Sequence, residues 1–195
     1  QRLQDIGSSI LRAARDELYL GMRFLDVALS CFIYQMDGSV SPFGTDGAVM
    51  YFHPAQLGGL YKENRILVNR GYLHMVFHCI FRHFGKPGIE KRLWNLSCDI
   101  AVEHMIDGIY HRSVRYSRSL LRRETYRLLE KEKKTLNAER IYKILKEEFL
   151  KEKELAQLEK EFYVDDHKYW ANQQPDRKPN PVSYTHLTLP TKLEV

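Results

Sequence analysis

The chain has 195 residues, 44% hydrophobic and 12% aromatic, enough for one folded domain with an appendage. Its formal charge is +5, with basic residues interleaved among acidic ones rather than clustered, which argues against a nucleic-acid partner. No apolar block follows a basic start, and the longest apolar run, residues 73–84, is too short and too rich in histidine to span a bilayer. Neither a signal peptide nor a membrane partner is therefore expected.

Residues 2–35 are predicted to be helical, because Leu3, Ile6, Ile10, Ala14, Leu18, Met22, Leu25, Leu29 and Phe32 recur at three- and four-residue steps. Gly21 marks a bend or a close helix contact, and Asp37-Gly38 ends the element. Two short runs, 40–44 and 48–52, flank Thr45-Asp46-Gly47 and predict a β-hairpin. Pro54 stops the second strand and opens a short helix over 55–62. A helix over 63–84 follows, terminated by Gly85-Lys86-Pro87-Gly88, and then an apolar helix over 91–107 with Gly108 at its end.

From 120 to 162 the composition changes to Lys, Arg and Glu, with a thinner apolar stripe through Ile141, Leu145, Phe149, Leu155, Leu158 and Phe162. This predicts one or two long, solvated helices broken near Thr135-Leu136-Asn137. Residues 162–170 return to an aromatic-rich composition, and 173–181 are polar and proline-rich. Residues 182–187 resemble the in-frame translation of a transposon adapter used in sequencing libraries, so His186 is excluded from any site. The expected organisation is a metal-binding domain over 1–117, a charged helical arm over 118–170, and a disordered tail over 171–195. The fold class is mainly α with a small β-hairpin, an α+β domain carrying a long charged arm.

The chemistry concentrates in Tyr72-Leu73-His74-Met75-Val76-Phe77-His78. At ~100° per helical residue, His74 and His78 lie about 40° apart on one face, the spacing by which H-E-x-x-H proteases hold zinc. Met75 stands where those enzymes carry their general-base glutamate. A zinc site needs a third ligand. His83 lies about 140° further round the helix and joins only if the helix ends early. Asp99, flanked by Cys98 and Ile100 on the next apolar helix, is better placed, and Glu103 sits one turn beyond it on the same face. The cluster so inferred is His74, His78 and Asp99, with Glu103 as a supporting group, a fourth ligand or a displaced general base. The competing reading makes both histidines structural, with Asp99 capping a helix or pairing with Arg82 or Arg92. Cys31, Cys79 and Cys98 are widely spaced without C-x-x-C, which fits free thiols in a reducing cytoplasm.

Three motifs in order carry a family resemblance. Thr45-Asp46-Gly47 with Tyr51 and Pro54, then Leu73-His74-x-x-x-His78 with His83, then Trp94-Asn95-x-x-x-Asp99, resemble a zincin-like metallopeptidase domain of bacterial proteins. In that family the domain precedes a von Willebrand factor A-like domain. The match covers residues 13–107, with 162–170 as the junction to the second domain. The resemblance implies a zinc cofactor, His74 and His78 as ligands with Asp99 as the third, a cytoplasmic setting, and work on proteins or peptides alongside AAA-type ATPases. Many members carry glutamate at the position of Met75. The expected function is thus a zinc-binding, metallopeptidase-like domain with impaired catalysis. The alternative is a non-catalytic, metal-stabilised interaction scaffold.

Overall fold

The structure, a computed structural model, describes every residue except 87, 131–134, 149–150 and 173–195. The expectations for the polar tail and the adapter-like segment fall outside the described residues. The architecture is mainly α with one small sheet, as the sequence indicates. In chain order it comprises α1 (Arg2–Gly21), a short turn of helix (Arg23–Leu25), α2 (Asp26–Leu29), β1 (Ile33–Met36), β2 (Phe43–Thr45) and β3 (Val49–Phe52). There follow α3 (Pro54–Glu63), α4 (Arg65–Phe81), α5 (Lys91–Asp107), α6 (Leu120–Leu129), α7 (Ala138–Glu147), α8 (Glu152–Phe162) and a final 3-10 turn (His167–Asn172).

The first helix is shorter than its periodicity predicts. It stops at Gly21, where the His111 ring packs so closely that a Cβ would lie 2.3 Å from it. Residues 33–35, expected to be helical, belong to strand β1 instead, paired parallel to β3 in the register Ile33↔Val49. Gln4 secures the strand from α1, accepting from the Met36 N–H at 2.6 Å and donating to the Tyr34 carbonyl at 2.9 Å. Leu25, Leu29 and Phe32 satisfy a helical period, but β-branched and aromatic residues at 32–34 pair equally well once a strand edge is at hand. The sheet order is β1-β3-β2, and β2 and β3 form the expected antiparallel hairpin. Its turn is fixed by Asp46 Oδ1, which accepts from the Ala48 and Val49 N–H groups, and by Gly47 at φ 92°.

Helix α4 is the axis of the molecule. Asn64 caps it by accepting from the Ile66 N–H, and every residue from Val68 to His78 is buried. Leu11, Leu18, Leu57, Phe43 and Phe52 pack around it in the main core, together with its own Met75. The Phe43 ring lies directly on Gly71, where a Cβ would come within 2.5 Å of it. The helix ends at Phe81 because Arg82 adopts the left-handed conformation (φ 53°). The Arg82 N–H donates to the Cys79 carbonyl, and the His83 N–H to that of His78. This is the paired 5→2 and 6→1 pattern of a Schellman cap.

Helix α5 packs against α4 on one side and carries a second core on the other. That core joins Leu93, Trp94 and Ala101 to Tyr126, Leu129, Ile141, Leu145, Leu155 and Phe162. The charged region is helical, as its composition indicates, but divides into α6, α7 and α8. Ser119 and Asn137 cap the first two by accepting from the Arg122 and Arg140 N–H groups. Each helix lays an apolar edge on the second core and turns most of its charges outward, Arg122 of α6 excepted, which reaches in to Glu103. Arg92 of α5 adds paired contacts to Glu152 and Glu159 of α8. Among the described residues no helix is long and apolar enough to cross a membrane.

Candidate metal centre

His74 and His78 project from α4 toward Asp99 of α5, and all three are buried. A fourth group joins them that the sequence reading left out, Asp165, on the extended segment between α8 and the last 3-10 turn. His74 Nε2 lies 3.4 Å from Asp99 Oδ1 and 3.4 Å from Asp165 Oδ1, and His78 Nε2 lies 3.3 and 3.6 Å from the same two atoms. Four donors held tetrahedrally at ~2.0–2.2 Å from a zinc ion stand ~3.3–3.6 Å from one another. The observed spacings therefore fit such an ion. His78 Nε2 and Asp165 Oδ2 are buried without a hydrogen-bond partner, an expensive arrangement unless a further atom is meant to meet them.

Each histidine is oriented from behind. His74 Nδ1–H donates to Glu103 Oε1 at 2.8 Å. Glu103 Oε2 accepts from Arg70 Nη2 at 2.7 Å and from Arg122 Nη1 at 2.6 Å, and Asp107 Oδ1 accepts from the same Arg70 nitrogen at 2.8 Å. Glu103 thus sits on the side of His74 remote from the donor cluster, with both oxygens engaged. His78 Nδ1 pairs with His83 Nδ1 at 2.9 Å. The early helix end places His83 there, behind His78 rather than among the four donors. Burial, together with the neighbouring His78, pushes His83 down to about 3, so it stays neutral and can accept this bond. Trp94 Nε1–H donates to the His83 carbonyl at 2.9 Å and holds it in place.

The charge balance calls for positive charge at the cluster. Burial opposes ionisation of Asp99 and Asp165, yet His167, His74 and His78 outweigh it and keep both carboxyls below their usual range. Burial likewise opposes a charge on His74, but Asp165, Asp99 and Glu103 raise its pKa well above the ordinary value. His167 Nε2 lies 3.1 Å from Asp99 Oδ1 and 3.0 Å from Asp165 Oδ1, and these two carboxylates raise it to about 10 against its burial. Two buried carboxylates therefore need compensating positive charge, which protons on the imidazoles or a divalent cation can supply. Trp170 stacks on His167 at 3.6 Å and closes that side. A cavity of about 400 Å³ reaches the cluster past Arg92, Tyr163, Asp99, Asp165, His167 and Lys168.

Met75 points elsewhere. It is fully buried in the main core, so no carboxylate occupies the position that follows the first histidine in an H-E-x-x-H site. Asp165 and His167 escaped the sequence reading because residues 162–170 were read as a junction. The signal was present in Asp165-Asp166-His167, a run of potential ligands set between aromatic residues.

Two histidines one helical turn apart, faced by two buried carboxylates, form a group that could hold a metal ion within a mainly helical domain. The chain belongs to the family described as "Putative metallopeptidase domain", whose profile matches residues 8–182. The match spans the charged helices and the Asp165 segment as well as the histidine helix. Comparison with curated proteins and with solved structures gives no match.

Proposed function

We propose that the domain binds one zinc ion through His74, His78, Asp99 and Asp165, in a closed four-ligand arrangement that serves stability rather than hydrolysis. The observation that carries this reading is the 3.3–3.6 Å spacing between the two Nε2 atoms and the two Oδ1 atoms. Four protein donors are the complement of a structural zinc site, whereas catalytic sites keep a position open. A zinc ion there would supply a divalent charge and tie α4, α5 and the 163–168 segment together, so that binding energy becomes folding energy.

The surrounding residues serve the same end. Glu103 holds His74 with Nδ1 protonated, which turns the Nε2 lone pair toward the cluster, and His83 does the same for His78. Glu103, committed to His74 and two arginines, acts as a positioning group and not as a general base. With Met75 in the core, catalysis lacks a carboxylate at its usual place. Elemental analysis of the purified protein should give one equivalent of zinc, His78→Ala should lose it, and peptide-library hydrolysis should stay at background. Metal-free protein with an unchanged melting temperature would overturn the reading.

A second reading, peptide hydrolysis, is favoured by the family description and by the cavity that reaches Asp99 and Asp165. It requires one of the four positions to open.

A further inference from the structure

The four donors are not held alike. His74, His78 and Asp99 stand on α4 and α5, two long buried helices, and each histidine is braced by a second side chain. Asp165 stands on an extended strap, residues 163–168. Among the described residues, a single parallel bridge, Gly44↔Asp166, joins this strap to the sheet, with the Asp166 N–H donating to the Phe43 carbonyl at 2.7 Å. Apart from His167, whose buried Nε2 meets Asp99 Oδ1 at 3.1 Å, the remaining ties lie near the surface. Tyr163 donates to the Ser41 carbonyl, Lys168 and Tyr169 reach Asp37, and Tyr169 stacks on Tyr51 at 4.0 Å. Segments with few backbone bonds and exposed contacts open before the helices they cover.

Three details show that the strap lies in a prepared site. Gly44 of β2 faces it, and a Cβ there would come within 2.8 Å of the Asp166 carbonyl oxygen, so the sheet edge is cut back to admit a main chain. Asp165 Oδ2 has no hydrogen-bond partner, in contrast to Glu103, whose two oxygens are both engaged. Nothing but the donor cluster itself and His167 holds that carboxylate in place. The cavity of about 400 Å³ is lined by Tyr163 and Asp165 of the strap and by Asp99, which leaves room for another ligand to enter.

From this difference we infer that Asp165 is an exchangeable occupant of the fourth donor position, and that the strap is the chain's own copy of a carboxylate-bearing ligand. The inference rests on the metal reading above. Lifting residues 163–168 would leave His74, His78 and Asp99 in place and expose one position to a ligand that offers an anionic oxygen. Such a ligand would replace Asp165 and, if extended, take over the hydrogen bond to the Phe43 carbonyl.

The test uses the full chain loaded with cobalt(II), whose visible absorption reports coordination, and titrates it with acetohydroxamate, a small oxygen-donor anion. Gly44→Val pushes the strap off the sheet edge by sterics alone and leaves all four donors intact, while Asp165→Ala removes the occupant. If the strap is closed at least about nine-tenths of the time, it weakens apparent acetohydroxamate affinity at least about tenfold. Both variants should therefore retain cobalt and bind the probe more tightly than wild type, Asp165→Ala by that factor or more. Equal affinity in all three proteins would overturn the inference. So would loss of cobalt from Asp165→Ala while Gly44→Val behaves as wild type, since Asp165 would then be a permanent ligand. A folded wild type that takes up no cobalt would sink the metal reading itself.

Discussion

Replacing Glu103 by alanine tests whether the buried ionic network serves the histidine or only the fold. The carboxylate is almost fully buried, and its loss strips His74 Nδ1 of its acceptor, leaving Arg70 to Asp107 and the Val114 carbonyl and Arg122 to Asp107 and Glu161. Removing one partner from such a buried pair costs ~3–5 kcal/mol. Because Asp107 still meets Arg70 at 2.8 Å, the lower end applies. At about 2–4 °C per kcal/mol for a chain of this size, the melting temperature of chelator-treated protein should fall by ~6–12 °C. The freed imidazole also loses its tautomer, and loss of such a bracing group weakens metal binding ~10–100-fold. Competition against a fluorescent zinc chelator measures that second effect. Asp107→Asn separates the two, because Asp107 contacts Arg70, Arg122 and Tyr126 but neither histidine of the cluster. It should destabilise the metal-free protein while weakening zinc binding much less than Glu103→Ala does, because the bond from His74 to Glu103 stays in place. If Glu103→Ala holds zinc as tightly as wild type, or Asp107→Asn weakens zinc equally, Glu103 does not orient His74.

Ile141→Ala should cost ~3 kcal/mol, because its side chain is fully buried between α7 and α5; a thermal melt unchanged to within a degree would mean the charged helices do not share a core with the domain. Met75→Glu should destabilise the protein by several kcal/mol without producing peptidase activity, since it places an unpaired carboxylate in the main core. A stably folded variant that gains hydrolysis would show instead that position 75 faces the donors. Ellman's reagent at pH 8 should modify the exposed Cys31 quickly and Cys79 and Cys98 only after unfolding, because burial pushes Cys79 up to about 12 and Cys98 higher still. Rapid reaction of all three thiols would contradict the burial of both helices.

The two central helices were legible because their apolar residues run nearly unbroken between strong terminators, and the hairpin because Asp46-Gly47 permits few other turns. The convergence of His74, His78 and Asp99 followed from helical geometry and a short connection between α4 and α5, both local properties. Asp165 was beyond such reasoning. Its place beside Asp99 depends on how α6, α7 and α8 fold back on α5, and a period of three or four residues carries no information about that path. Strand β1 was lost for a related reason, because its partner β3 lies well downstream and a four-residue edge strand has too short a pattern to compete with an adjoining helix. The division of the charged region was partly readable in Ser119 and Asn137, two good capping residues just ahead of amphipathic runs. His83 had been placed by assuming a continuing helix, and a left-handed arginine at position 82 turns the chain back instead.

The contact between Phe43 and Gly71 has a consequence for the size of the donor cluster. Gly71 lies one turn before His74, so the histidines are built outward from the surface on which the Phe43 ring rests. The strap hangs from the carbonyl of that same phenylalanine. The span between the imidazoles and Asp165 is therefore gauged by the thickness of one aromatic ring laid on bare backbone. A single methyl group at position 71 would lift β2, and the strap with it, away from the helix, widening the 3.4–3.6 Å gaps between the two Nε2 atoms and Asp165 Oδ1. A side chain without any polar atom would then set the spacing of the donor atoms.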